Sequence, residues 1–171
     1  MSRSLILTIC TLLLLTPSIH AQKQKFIIIR HAEKDTTVKG SQMMQADPPL
    51  SAKGQARAES LIELFQKYKI STIYSTNYNR TKSTVLPFAD ANGLSINEYD
   101  PKQLKAFAEA LKAPANHSKT ILIVGHSNTS PKLVNLLLGK EVYKDLDDAV
   151  YNQYWLVETN GRRTEAKVIE Y

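Results

Sequence analysis

Short apolar runs alternate with helix-period patterns from residue 25 to the end of the chain. The run Phe26-Ile27-Ile28-Ile29 inside Lys25 to Arg30 is continuous rather than alternating, as a strand buried on both faces reads. A polar segment from Glu33 to Pro49 follows, too long for a simple turn and expected to help form a site. Ser51 then suits the cap of a helix whose Leu61, Leu64, Phe65 and Tyr68 share one face at i, i+3, i+4, i+7. A second strand is predicted around Ser71 to Ser75. The helix after it begins within Thr76 to Arg80 and runs toward Asp90, with a disturbance expected at Pro87. Ile96 to Tyr99 reads as a third strand, Pro101 suits the first turn of a helix to about Lys112, and Lys119 to Gly125 reads as a fourth strand. A helix from about Ser130 to Leu138 is stopped by Gly139. Finally, Tyr151 to Thr159 and Arg163 to Glu170 flank Asn160-Gly161, a dipeptide suited to a tight antiparallel hairpin. Strands alternating with helices predict one α/β domain with a largely parallel sheet and an antiparallel pair at its end.

The N-terminal pattern is of another kind. Met1 to Ala21 places Arg3 before an apolar stretch from Leu5 to Leu15, a break at Pro17, and Ile19-His20-Ala21 as an imperfect small-residue cleavage site. We expect 1–21 to be a secretory signal, cleaved after Ala21, and 22–171 to be the mature domain. The apolar stretch is shorter than the roughly 18 to 20 residues of a membrane-spanning helix, so no stable membrane insertion is expected after cleavage. The product is expected to be exported, periplasmic or secreted.

Cleavage changes the chemistry available. Cys10, the one cysteine, lies in the signal, so the mature chain holds no disulfide, thiolate nucleophile or zinc-thiolate site. Arg3 is likewise the only charge removed, which leaves 21 Lys and Arg against 16 acids and a mature net charge of +5. That excess is scattered, without a dense run or aromatic-flanked motif, and no nucleic-acid partner is expected. Only five arginines remain, and two of them, Arg30 and Arg80, fall in the most chemical stretches.

Arg30-His31-Ala32-Glu33 follows the first strand and Gly125-His126 ends the fourth, so two histidines far apart in sequence take equivalent places. In open α/β sheets ligands bind beyond the carboxyl ends of the strands, where this topology puts Arg30, His31, the Ser75 to Arg80 loop and His126. Phosphoryl transfer to an imidazole needs a neutral nitrogen, cationic donors for the phosphoryl oxygens and an acid for the leaving alcohol. His31 fits the nucleophile. Arg30 and Arg80 fit the forked donors, and His126, when protonated, is a further one. The helix after His126 turns N–H groups toward an anion, with Asn128 and Thr129 as side-chain donors.

These residues resemble the histidine phosphatase superfamily, the phosphoglycerate-mutase-like proteins of branch 1. The resemblance runs from Arg30-His31-Ala32-Glu33 through Asp47-Pro48-Pro49-Leu50-Ser51 and Gly54, Tyr74-Ser75-Thr76 to Arg80 and Thr81, and Val124-Gly125-His126. It implies a three-layer α/β/α sandwich, a transiently phosphorylated His31, a phosphate pocket of Arg30, Arg80 and His126, and no metal or cofactor. The chain departs from the family at Ala32, where glycine is common. The proton donor by resemblance is Glu98 or Asp100, with Glu33 and Asp47 as weaker choices. Ser127 and Asn128 stand where the acid-phosphatase branch has an aspartate. Small size and no long insert look most like the compact SixA-like phosphohistidine phosphatases, while export favours a phosphorylated small molecule or phosphorylated saccharide as partner.

Competing readings are weaker. Gly125-His126-Ser127-Asn128-Thr129 lacks the last glycine of a serine-hydrolase elbow, and the cysteine half of a zinc deaminase signature cannot exist in the mature chain. A phosphate-binding module without turnover is the non-enzymatic alternative. The cluster Asp145, Asp147, Asp148 is expected as a solvated turn, and Arg57 and His117 as surface groups.

Overall fold

The computed structural model describes residues 23–37 and 47–171. The expected signal, 1–21, lies outside the described residues, as do residues 38–46 of the polar segment. Twelve short elements alternate much as the pattern predicts: β1 (Gln24–Arg30), α1 (Ala52–Phe65), β2 (Ile70–Ser75), α2 (Asn79–Asn92), β3 (Ile96–Glu98), a 3₁₀ turn (Pro101–Gln103), α3 (Leu104–Leu111), a second 3₁₀ turn (Pro114–Asn116), β4 (Thr120–Gly125), α4 (Thr129–Leu138), β5 (Gln153–Thr159) and β6 (Thr164–Glu170).

The strands form one sheet in the order β3-β2-β4-β1-β5-β6. β1, β2, β3 and β4 pair in parallel, whereas β5 runs antiparallel to β1 and to β6. Side chains alternate between the faces. Ile27 and Ile29 meet Leu61 and Phe65 of α1 and Val85 and Phe88 of α2 on one face. Phe26 and Ile28 meet Leu104 and Leu111 of α3 and Leu133 and Leu137 of α4 on the other. The result is a three-layer α/β/α sandwich with a mostly parallel sheet and an antiparallel C-terminal hairpin. Burial of both sheet faces is why the central strands read as unbroken apolar runs.

Local differences from the sequence reading have local causes. α1 ends at Phe65, so Tyr68 reaches the core from beyond the helix, where its hydroxyl lies 2.9 Å from that of Tyr154. α2 runs through Pro87 unbroken. Pro101 opens a 3₁₀ turn rather than the α-helix itself, because the Asp100 carboxylate accepts from Lys102 N–H at 2.9 Å and tightens that turn. The hairpin connection is four residues, 160–163, rather than a two-residue turn: the Asn160 side-chain carbonyl accepts from the N–H groups of Arg162 and Arg163 at 3.0 and 2.8 Å and widens it.

The topology places the site. The chain leaves β1 toward the α1/α2 layer but leaves the neighbouring β4 toward the α3/α4 layer, so a crevice opens at their carboxyl ends. Arg30 is in register with Gly125, which brings the two histidines that follow to the same level.

Candidate active site

A cavity of about 450 Å³ occupies that crevice. Arg30, His31, Arg80, His126, Ser127, Asn128, Thr129 and Asp148 line it, with Lys34, Pro48, Tyr78, Pro101 and Lys102. Arg30, His31, Arg80, His126 and Asn128, the sequence candidates for phosphate chemistry, are thus brought together.

The loop after β1 is fixed by backbone bonds on each side. His31 N–H donates to Gly125 O at 2.9 Å, and Ala32 N–H donates to the buried Thr84 hydroxyl at 2.9 Å. That hydroxyl donates in turn to Arg80 O, which ties the histidine loop to the first turns of α2. Ala32, where the family resemblance expects glycine, is fully buried beside Leu50 and Ala58, so its methyl fills a small apolar niche. Glu33 O accepts from the N–H and hydroxyl of Ser51, the cap of α1, whose oxygen accepts from Gly54 N–H. Gly54 is required there: a Cβ on it would lie 2.2 Å from Glu33 O.

His31 is 5% exposed, and its Nδ1 lies 2.7 Å from Ala32 O. A carbonyl only accepts, so Nδ1 carries the proton and Nε2 holds the lone pair. Burial, partly offset by that carbonyl bond and reinforced by His126, Arg80 and Arg30, lowers the His31 pKa to about 3. The ring is neutral at ordinary pH.

His126 stands with its ring centroid 5.5 Å from that of His31. Its Nδ1 faces Arg80 Nη2 at 3.4 Å and its Nε2 faces the Thr76 hydroxyl at 3.0 Å. Because a guanidinium only donates, Nδ1 is the acceptor and Nε2–H donates to Thr76, whose hydroxyl continues to that of Thr81 at 2.9 Å. Burial, then the charges of Arg80 and Arg30, lower the His126 pKa to about 4, with Asp47 pulling the other way. His126 is therefore neutral at ordinary pH, and it becomes a cationic donor only on gaining a proton.

The two arginines are held differently. Arg80 stacks 4.4 Å over Tyr78 and pairs with Asp47 at 3.5 Å, while the other Asp47 oxygen accepts from Asn79 N–H at 2.8 Å and so caps α2. Arg30, 5% exposed, sits 4.1 Å over the Tyr151 ring. Its Nη1 donates to the carbonyls of Asp147, Asp148 and Val150 at 2.9, 3.1 and 2.9 Å. Its buried Nε has no partner among the described residues, a donor left unspent.

The predicted acids are elsewhere. Glu98 pairs with Lys82 Nζ and lines a different groove beside α3, and Asp100 is spent capping the 3₁₀ turn. Glu33 is bound by both arms of Arg57 at 2.8 Å, which hold its carboxyl down at about 2. Arg57 is thus a half-buried structural partner rather than a surface charge: it spends its fork on Glu33 and lies 5.5 Å from the Tyr171 ring centroid. Asp148, expected in a solvated turn, is exposed as expected and also lines the cavity. Sequence reasoning also passed over Thr76, Tyr78, Thr84 and Tyr151. Thr76 falls in the Tyr74-Ser75-Thr76 motif and Thr84 three residues past Thr81, while Tyr151 is read only as the start of a strand that begins instead at Gln153.

In this α/β crevice a neutral, oriented imidazole shares a cavity with two arginines, groups that suit an oxyanion. The sequence pattern described as histidine phosphatase superfamily (branch 1) matches residues 26–102, which include Arg30, His31 and Arg80. Over those residues the chain is similar to that family. It is 33% identical over 76 residues to phosphoserine phosphatase 1 of Hydrogenobacter thermophilus, a match that covers 44% of this chain and 36% of that protein. The fold is similar to a candidate alpha-ribazole-5'-P phosphatase from Escherichia coli, with TM-score 0.69 and 14% identity over 86% of this chain and 96% of the other. It is also similar to the protein histidine phosphatase SixA complexed with tungstate, with TM-score 0.62 and 14% identity over 85% and 96%.

Proposed function

We propose that the chain is an exported phosphatase that hydrolyses phosphomonoesters or phosphoramidates through a phosphohistidine on His31. The observation that carries the reading is the 2.7 Å contact between His31 Nδ1 and Ala32 O, which leaves the Nε2 lone pair in a cavity walled by Arg30 and Arg80. Nε2 attacks phosphorus and the bond to the leaving group breaks. The arginines, and the N–H groups of the first turn of α4, stabilise the equatorial oxygens. Water then displaces phosphate from Nε2. Because the imidazole is itself the nucleophile and is already neutral, this first step calls for no activated water.

Arrival of a phosphate dianion favours the protonated form of His126, so its Nδ1 gains a proton and becomes a donor to the substrate. The likeness to phosphatases, and to a fold seen with the oxyanion tungstate, supports the reaction class. Lys34 and Lys102 add cationic lining to the cavity, which suits a phosphorylated small molecule or saccharide. The signal-like segment supports export to the periplasm or the medium.

Brief exposure of the protein to acetyl phosphate or phosphoramidate, followed by alkaline quench, should yield an acid-labile label that His31→Ala abolishes. A screen of phosphorylated metabolites should give turnover that falls at least a thousandfold in His31→Ala. Full activity in that variant rejects the mechanism, and oxyanion binding without hydrolysis favours the binding module. Mass spectrometry of protein recovered outside the cytoplasm should find Gln22 as the first residue.

A further inference from the structure

We propose that Asp148 is the catalytic acid of this site; the assignment rests on the phosphohistidine reading above. All 16 Asp and Glu residues of the chain lie among the described residues, and Asp148 alone of them lines the His31 cavity. The other nearby carboxylates are committed to Arg57, to the caps of α2 and the 3₁₀ turn, or to Lys82.

Asp148 is positioned by its backbone, which leaves its side chain free to act. Arg30 Nη1 gathers the carbonyls of Asp147, Asp148 and Val150, and Leu146 N–H donates to Ser127 O at 2.9 Å, so both ends of the Asp148 turn are fastened to the site. The neighbouring Asp147 carboxylate is turned away to accept from Ala149 N–H at 3.0 Å. The Asp148 carboxylate is 88% exposed, and its contact with Arg30 Nη2, at 3.5 Å, is a long one. A phosphate dianion docked on Arg30 competes for that guanidinium and releases the Asp148 carboxyl to meet the leaving oxygen.

The proton balance closes over one turnover. As the His31 Nε2 bond to phosphorus forms, the ester P–O bond breaks and its electron pair goes to the leaving oxygen, which takes the Asp148 proton. The resulting carboxylate then accepts a proton from the water that attacks phosphorus, while the P–N electron pair returns to Nε2. Asp148 ends protonated and His31 neutral.

The test compares the full chain with Asp148→Asn on a poor and a good leaving group, glycerol 2-phosphate and p-nitrophenyl phosphate. General acid catalysis contributes about 10²-fold or more, so kcat for the alkyl ester should fall on the order of 100-fold and that for the nitrophenyl ester only a few-fold. Asp148→Glu should restore much of the alkyl activity, and the alkaline limb of the alkyl-ester pH profile should disappear in Asp148→Asn. Equal losses on both substrates, no loss on either, or a wild-type protein inert toward the alkyl ester would overturn the assignment. His31 labelling separates the two levels: normal labelling with no leaving-group dependence sinks Asp148 alone, whereas absent labelling in both proteins sinks the phosphohistidine reading.

Discussion

Arg57→Met removes a charge while keeping most of the aliphatic stem, and so isolates what the guanidinium does for the segment that follows His31. Glu33 accepts two bonds from Arg57 at 2.8 Å and a longer one from Lys53 at 3.3 Å, with side-chain exposures of 12% for Glu33 and 16% for Arg57. The Arg57 fork holds the Glu33 carboxyl at about 2, against its ordinary 4.5. At about 1.4 kcal/mol per pH unit that interval corresponds to about 3 kcal/mol of linked stability, and with Lys53 still in place the variant should lose about 2. The folded-state pKa is the depressed one, so this stability is fully present above the unfolded value near 4.5 and disappears as pH falls through about 2. Urea unfolding followed by circular dichroism should therefore show a midpoint about 1 M lower for Arg57→Met at pH 7, with the two curves converging near pH 2. Because Glu33 O also anchors the cap of α1, phosphatase activity should fall with stability. An equal midpoint difference at pH 7 and pH 2, or none at pH 7, would refute the reasoning.

Two further outcomes follow from the geometry. Burial depresses both site histidines, His31 to about 3 and His126 to about 4 from the usual 6.5, so each ring binds its proton less tightly folded than unfolded. Their share of stability is complete above pH 6.5 and falls as pH drops toward the folded values, and imidazole proton resonances in the ligand-free protein should show neither ring titrating above pH 5. A site ring titrating near 6.5 would contradict the inferred burial and tautomers. Gly54→Ala gains up to about 1 kcal/mol of helix propensity but sets a methyl 2.2 Å from Glu33 O. Overpacking against backbone costs about 1–3 kcal/mol or more, so the melting temperature should drop by several degrees; an unchanged or higher value would show that the histidine loop is not pinned as described.

The order of elements was legible because burial of both sheet faces writes continuous apolar runs, and because Ser51 and Gly139 punctuate helices α1 and α4. Arg30, His31, Arg80 and His126 were legible as a set because parallel topology brings successive strand ends to one edge. What escaped has a different physics. Glu98 and Asp100 have the right charge near the right strand, but Lys82 and the 3₁₀ cap occupy them. Arg57 and Glu33 are separated by 24 positions, and no periodicity links a helix residue to a loop residue. Asp148 lies in a stretch without helix or strand period, and Tyr151, which the pattern reads as the start of a strand, lies just before β5. Their place is set by carbonyls converging on Arg30, and backbone carbonyls carry no sequence signature.

That convergence gives Arg30 two jobs, and they pull against each other. Three loop carbonyls and the face of Tyr151 satisfy one end of the guanidinium, while Nε has no partner among the described residues. A guanidinium clamped on one side loses little further rotamer entropy when an oxyanion meets the other, so the loop orders Arg30 for its ligand. The same clamp means that the ligand draws on the group that positions Asp148, and the phosphate thereby comes to govern the residue proposed to protonate its leaving group. Arg30→Lys tests this coupling. An ammonium keeps the charge but cannot span the Asp147, Asp148 and Val150 carbonyls while presenting a second donor, so alkyl-ester turnover should fall by about 100-fold or more. Phosphate binding, carried by charge as well as by geometry, should weaken much less. If binding and turnover instead fall by the same factor, Arg30 acts only as a phosphate ligand and the loop is a passive wall.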